Sequence, residues 1–198
     1  MLNPDGYDYS WTTNRFWLKN RSPDCGVNLN RNFPAFWRPS HCQFKNYSGP
    51  FPMSEPEVQS LVSYVKENLV GQTVLAWSLH CFGQVFFLPY AGSASVDPPH
   101  LDQMKSIARK ALHYITPHYY RHGKVQDFLS SPHNHHVGGT SMDFYAASGI
   151  PFSYTIELPD LGTKGFLLPA SEIREVSCLV SQKFFEYFKK TFHFFTGE

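Results

Sequence analysis

The sequence predicts an α/β fold, a three-layer α/β/α sandwich with a mostly parallel mixed sheet. Three short apolar segments, residues 73–79, 85–88 and 152–158, have the length and composition of buried strands. They alternate with two longer segments, 101–114 and 170–188, whose apolar residues recur at helical spacing. Because strands that alternate with helices form parallel sheets covered on both faces, this order favours the sandwich.

Composition limits the classes of protein and partner. The chain has 198 residues, of which 42% are hydrophobic, enough for one globular domain or a large part of one. The net charge is +1 and the lysines and arginines are scattered, so neither nucleic acid nor an anionic membrane is an expected partner. Apolar runs also stay short of the about 20 residues that a membrane-spanning helix needs.

The first elements follow from local signals. Residues 3–53 are rich in Asn, Pro, Gly and aromatic residues without a sustained period, which predicts ordered loops and short elements. Ser54, with Glu57 three residues later, has the pattern of a capping box that begins a helix. Apolar residues then follow at helical spacing: Val58, Leu61, Val62 and Val65.

The later elements alternate regularly. The turn 80–83 separates the first two strands, and the amphipathic helix 101–114 follows. Residues 141–148 predict a short helix. The last strand, 152–158, ends in turn residues, and the helix 170–188 closes the predicted fold.

The cysteines and two asparagine triplets suggest an oxidising compartment. Cys25 and Cys42 flank a loop that a disulfide would stabilise, whereas Cys81 and Cys178 fit small buried hydrophobic residues. The triplets 20–22 and 46–48 match the acceptor pattern for N-linked sugar, although short patterns of this kind also arise by chance. The N-terminus has neither a basic start nor an apolar segment. A chain that begins downstream of its true N-terminus would reconcile these signals.

Two residues that follow predicted strands are candidates for chemistry. His80 directly follows the first strand and Glu157 lies at the end of the last, where functional residues of such sheets gather. His80 alone is more often a hydrogen-bonded core histidine than a metal ligand. For Glu157 a functional role and a buried salt bridge are about equally favoured. Asn30 and Arg31 would suit the bidentate capture of a carboxylate.

Together these residues belong to a longer series of motifs. The segments, in chain order, are NPDGY (3–7), NRFW (14–17), KNRS (19–22), GVNLNRNF (26–33), GPF (49–51), SEPE (54–57), LHCFGQ (79–84), PY (89–90), GTSMD (139–143), EL (157–158) and GFLLP (165–169). Their order and spacing closely resemble the zinc metallocarboxypeptidases of the A/B subfamily from residue 3 to about residue 180. The resemblance implies that residues 1–198 are the C-terminal two-thirds of a single catalytic domain, with its N-terminal part missing.

The resemblance implies an exopeptidase that removes one C-terminal residue. Such enzymes hold one Zn²⁺ with a His and a Glu three residues apart and with a later His, which here is His80. The metal polarises the scissile carbonyl and acidifies a bound water. Glu157 matches the glutamate that takes the proton of this water and passes it to the leaving amine.

The resemblance also assigns substrate contacts. Asn30 and Arg31 match the residues that hold the terminal carboxylate, and Arg15 matches an arginine lining the substrate groove. Met142 matches the residue at the base of the specificity pocket and favours hydrophobic C-terminal residues. His135 stands where a tyrosine closes over the substrate.

Several positions depart from the family pattern. In this chain, every position three residues after a histidine holds a residue other than Glu. The zinc ligand set is therefore incomplete, and the family places the two other ligands upstream of residue 3. Leu18 replaces the arginine that stabilises the oxyanion, and Asn28 replaces an aspartate that orients the first zinc histidine. Pro159 and Leu161 also replace the usual arginine and threonine.

By this resemblance the protein is a zinc metallocarboxypeptidase, and this chain alone is expected to be inactive because two zinc ligands are absent from it. Two alternatives remain beside this interpretation. In a pseudo-peptidase, Asn30 and Arg31 would still bind peptide C-termini while the chemistry is lost. Alternatively, the three histidines of residues 131–136 could chelate a metal ion, although a solvated polar loop fits that segment better. The expected partners are peptide or protein C-termini, the expected state is a monomer, and the expected location is extracellular.

Overall fold

The computed structural model describes residues 1–114, 120–128 and 137–196, and they contain one mixed sheet. Its strands are β1 (Leu75–His80), β2 (Val85–Leu88), β3 (Arg121–Lys124) and β4 (Phe152–Glu157). They lie in the order β1–β4–β2–β3. β1 is parallel to β4 and β2 is parallel to β3, while β2 and β4 are antiparallel. The predicted mixed sheet with mostly parallel neighbours is confirmed.

Helices fill the segments between the strands. The α-helices are α1 (Pro4–Thr12), α2 (Pro56–Asn68), α3 (Leu101–Tyr114), α4 (Ser141–Ala147), α5 (Ile173–Cys178) and α6 (Phe185–Thr196). Short 3₁₀ helices cover Leu29–Arg31, Val125–Phe128 and Ala170–Glu172, and a π-helical segment, Leu179–Phe184, joins α5 to α6. The helical stretch predicted over 170–188 therefore continues to Thr196.

The sequence reading missed one helix and one strand. Asn3 caps α1, because its Oδ1 accepts a hydrogen bond of 3.0 Å from the Gly6 N–H, and Pro4 occupies the first helical position. Both signals are present in the sequence. β3 reads Arg-His-Gly-Lys and carries no apolar alternation, so only its pairing with β2 makes it a strand.

The predicted capping box of α2 is wrong, although the helix forms. Its N-cap is Glu55, and Pro56 follows as the first helical residue. A residue before proline is driven into the extended region, and Glu55 has φ −94° and ψ 132°. The Ser54 hydroxyl donates to Glu55 Oε1 at 2.7 Å instead of capping the helix.

The two faces of the sheet carry different layers. On one face Phe86, Tyr154 and Ile156 are fully buried against α3 and the C-terminal helices. On the other, α2, α4 and the loop around Phe33 form a second apolar cluster. The three-layer arrangement is therefore confirmed. Alternation along β4 directs Ser153, Thr155 and Glu157 away from the first cluster.

Cys25 and Cys42 form the expected disulfide. The buried Lys19 ammonium supports it by donating to the carbonyl oxygens of Cys25 at 3.2 Å and Cys42 at 2.9 Å. The expectation of a buried Cys81 is wrong, because β1 ends at His80 and leaves Cys81 exposed in the following turn. Among the described helices, none is long and apolar enough to cross a membrane.

Candidate active site

The candidate site begins at the parallel pair β1 and β4. In their register His80 lies directly opposite Glu157 at the carboxyl ends of both strands. The Leu158 N–H donates to the His80 carbonyl at 2.8 Å, which continues the pairing past the strands. Because matched positions of neighbouring strands point to the same face, the imidazole and the carboxylate emerge side by side.

Asn30 connects this pair to two distant parts of the chain. Its Oδ1 accepts hydrogen bonds from the Ser141 N–H at 2.9 Å and from the Ser141 hydroxyl at 3.1 Å. Its Nδ2 lies 3.5 Å from His80 Nε2. The Asn28 Oδ1 accepts from the Asn30 N–H at 3.1 Å and so fixes the start of the 3₁₀ turn. The amide of Asn30 therefore has one orientation.

Arg31 brings a cation into the same region. Its Nη1 donates to the Asn30 carbonyl at 2.7 Å, while its Nε is buried without a hydrogen-bond partner in the described part of the chain. Burial lowers the pKa of Arg31, and the carboxylates of Asp143 and Glu157 oppose that shift. A buried guanidinium N–H without an acceptor costs free energy. A ligand that supplies an acceptor to this N–H would offset that cost.

Glu157 presents the complementary unpaired acceptor. Its Oε2 is buried and has no hydrogen-bond partner among the described residues. Burial raises the pKa of Glu157 from 4.5 to about 7, against the opposing effect of the Arg31 guanidinium. A carboxyl group with this pKa can exchange a proton near neutral pH.

His80 is the one predicted metal ligand in this chain. Burial, together with the nearby Arg31 guanidinium, lowers the pKa of His80, so the imidazole is neutral as a ligand requires. The described residues contain no group of three or more His, Cys, Asp or Glu side chains that could hold a metal ion. A catalytic zinc ion takes about three protein ligands, so His80 alone does not fit one.

α4 supplies the apolar wall of the site and a buried carboxylate. Thr140 caps the helix through a 3.1 Å hydrogen bond from the Asp143 N–H, and Met142 is 1% exposed. The Asp143 carboxylate accepts from the N–H groups of Ala91 at 2.8 Å and Gly92 at 3.1 Å. Burial raises the pKa of Asp143 to about 6, although these hydrogen bonds lower it. The sequence analysis did not select Asp143, since the N–H groups that bind its carboxylate lie 52 and 51 residues away along the chain.

One cavity of about 920 Å³ collects most of the predicted residues. Its lining includes Asn30, Arg31, His80, Met142 and Glu157. This volume suits a peptide end or a small ligand. Five residues predicted from distant motifs therefore meet at one place.

The other predicted positions differ in their relation to the cavity. Arg15 is exposed and is not part of the cavity lining, so its role in the substrate groove stays a prediction. His135 lies outside the described residues, as does the histidine-rich segment 131–136. Leu18 is 42% exposed and lines the cavity.

Comparison with known proteins gives a consistent result. A family model described as zinc carboxypeptidase matches residues 1–178. The chain is 37% identical to human carboxypeptidase O over 186 residues, which cover 88% of this chain and 48% of that protein. It is 38% identical to human carboxypeptidase B2 over 188 residues, which cover 88% of this chain and 43% of that protein. The chain thus spans less than half the length of these two relatives.

Solved structures share the fold. Bovine thrombin-activatable fibrinolysis inhibitor, in complex with tick carboxypeptidase inhibitor, superposes with a TM-score of 0.83 and 32% identity over 91% of this chain and 63% of that chain. The carboxypeptidase A of Helicoverpa armigera gives a TM-score of 0.79 and 25% identity over 90% of this chain and 47% of that chain.

Proposed function

Because this chain belongs to the zinc carboxypeptidase family, we propose that its cavity receives the C-terminal residue of a peptide for hydrolysis of the last peptide bond. The proposal rests on two buried groups that lack a hydrogen-bond partner, one of them a donor and the other an acceptor. Arg31 Nε is a buried donor without a partner in the described part of the chain, and Glu157 Oε2 is a buried acceptor in the same condition. Both residues line the same cavity.

The donor suits a terminal carboxylate. A guanidinium and an amide side by side, Arg31 and Asn30, can bind the two oxygens of a carboxylate with charge-assisted hydrogen bonds. Asn30 Oδ1 accepts from Ser141, so the Nδ2 group, 3.5 Å from His80 Nε2, is the donor that remains for a ligand. A ligand without a free carboxylate would leave the buried guanidinium unpaired, which restricts binding to chain ends.

The acceptor suits proton transfer. Glu157, with a pKa of about 7, can take a proton from an attacking water and deliver it to the leaving amine. Its place opposite His80 at the end of the sheet supports this role. His80 would contribute one ligand to a zinc site, and the described residues by themselves do not complete that site.

The pocket wall supports a preference for hydrophobic C-terminal residues. Met142 lines the cavity with an apolar side chain and cannot pair with a basic residue. Its neighbour Asp143 is held away by the N–H groups of Ala91 and Gly92. A buried apolar side chain would gain about 25 cal/mol for each Å² removed from water.

A non-catalytic peptide-binding protein is the second candidate. Leu18 lines the cavity at the position where the family resemblance expects an oxyanion-stabilising arginine. An aliphatic side chain offers no hydrogen bond to developing negative charge, and loss of such a donor costs about 10²–10³ in rate. Under this alternative Arg31 and Asn30 still bind peptide ends.

Binding can be measured with labelled peptides by fluorescence anisotropy. We expect a peptide with a free C-terminal Phe to bind at least about tenfold more tightly than its C-terminal amide, because one charge-assisted hydrogen bond contributes about 1.5–3 kcal/mol. Arg31→Gln should abolish that preference, and the exposed Arg174→Gln on α5 should retain it. Equal affinity for acid and amide would refute the carboxylate clamp.

Turnover separates the two candidates. Release of C-terminal Phe is followed by chromatography in the presence of added zinc, with Glu157→Gln as the test variant and the exposed Glu67→Gln as its control. Release that Glu157→Gln alone abolishes supports the peptidase. Acid-specific binding without release supports the non-catalytic candidate, and the absence of both contradicts the proposal.

The disulfide supports a secretory location. Bridges such as Cys25–Cys42 form and persist in oxidising compartments and are rare in the cytosol. Secretion is therefore part of the proposal, and a monomer is its expected state.

A further inference from the structure

We infer that Asn46 is a site of N-linked glycosylation and that Asn20, in the chain's other acceptor triplet, is not. Both triplets have the form Asn-x-Ser, so their sequence does not distinguish them. The fold distinguishes the two asparagines. An attached sugar replaces one hydrogen of the side-chain Nδ2, and the folded chain must leave open space around that nitrogen. The two asparagines differ in both respects.

Asn20 has neither a free hydrogen nor space. It is 2% exposed, and its Nδ2 donates to Glu55 Oε2 at 2.7 Å and to Glu57 Oε1 at 3.1 Å. Its Oδ1 accepts from the N–H of Val27 at 2.8 Å and from the Ser22 hydroxyl at 3.0 Å. A sugar on Asn20 would remove a hydrogen bond to a carboxylate and could not fit inside this buried network.

Asn46 meets both requirements. Its side chain is exposed, and its Oδ1 accepts from Asn28 Nδ2 at 3.1 Å. Since the oxygen is occupied, the amide orientation is fixed, and Nδ2 is left without a partner in the described part of the chain. A fixed amide with a solvent-facing nitrogen can carry a sugar without loss of a contact.

The loop that carries Asn46 is firmly attached to the fold. Cys42 ties one side to Cys25. On the other side the Ser48 hydroxyl donates to the Arg38 carbonyl at 2.8 Å, and the Ser48 N–H donates to the Ser40 hydroxyl at 2.8 Å. The disulfide is also an independent sign of the oxidising compartment in which N-linked sugars are added. Asn46 also lines the candidate cavity.

The test is secretion of the whole chain from cultured human cells behind a cleavable signal sequence. We expect one glycan, seen as a mobility shift that peptide-N-glycosidase F removes. Asn46→Gln should lose the shift, whereas the matched variant Asn20→Gln should keep it, either in the medium or in the cell lysate if the buried change prevents secretion.

Peptide mapping gives a reading that needs no variant. Glycosidase treatment in ¹⁸O water converts a glycosylated asparagine to labelled aspartate, and we expect the label at residue 46 alone. A secreted wild-type chain without glycan, a shift that persists in Asn46→Gln, or a label at residue 20 would each overturn the inference.

Discussion

Glu157→Gln should make the stability of this protein less dependent on pH. The carboxyl group has an ordinary pKa of 4.5, and burial raises it to about 7 in the folded chain. A raised pKa means that the folded state binds the proton more tightly than the unfolded state does. The stability that this group contributes is therefore complete below pH 4.5 and is lost as the pH rises through about 7.

The size of the effect follows from the shift. The folded and ordinary values differ by about 2.5 units, and each unit corresponds to about 1.4 kcal/mol, so ionisation of Glu157 costs about 3 kcal/mol above pH 7. Gln has nearly the same shape and never ionises. The variant should therefore match the wild type near pH 4.5 and exceed its free energy of unfolding by about 3 kcal/mol at pH 8.

Urea unfolding followed by tryptophan fluorescence, with EDTA present, measures this difference at both pH values. Glu67→Gln is the control, because Glu67 is exposed on α2 and should leave the pH dependence unchanged. If Glu157→Gln differs from the wild type by the same amount at both pH values, the buried carboxylate is not the cause. A variant that is less stable at pH 8 would refute the reasoning outright.

Three further changes test the packing that holds the site. Cys25→Ser removes the disulfide to Cys42, which closes a sequence separation of 17. The free energy of unfolding should fall by about 3 kcal/mol in non-reducing urea titrations. Equal midpoints for the variant and the wild type would contradict this. Asn20→Ala removes the 2.7 Å hydrogen bond to Oε2 of the buried Glu55 carboxylate and should cost about 3 kcal/mol by the same titration. A change below about 1 kcal/mol would show that water replaces the amide. Phe86→Ala removes a fully buried ring from the centre of the sheet and should lower the free energy of unfolding by about 3–5 kcal/mol. A thermal midpoint near that of the wild type would be inconsistent with the described core.

Sequence periodicity is sufficient to predict a helix or strand whose apolar pattern is continuous. The segments that form β2 and α3 have the predicted bounds, because β2 is apolar at every position and the apolar residues of α3 recur at helical spacing. β3 could not be found in this way, since Arg121–Lys124 is polar and becomes a strand only by pairing with β2. α1 was missed despite its Asn3 cap, because the surrounding loop composition outweighed a single capping signal.

In the candidate site too, some features can be predicted from the sequence and others cannot. His80 and Glu157 could be predicted because strand ends are visible in the sequence, and the fold aligns them as opposite residues. The bond between Asn30 and Ser141 and the burial of Asp143 could not, because each depends on segments far apart in the chain. Residue identity suggested the members of the site, but tertiary contacts determine their state of ionisation.

The hydrogen bond from Ser141 to Asn30 joins positions 111 residues apart. Closing a loop of that length costs about 4 kcal/mol of chain entropy, which only the combined contacts of sheet and helices can offset. Folds that depend on contacts of such long range form slowly, because the entropy of loop closure is lost before these contacts stabilise the chain. The cavity should consequently appear together with the complete fold, and refolding molecules should gain the ability to bind a ligand at the rate of global folding, with no earlier binding-competent intermediate.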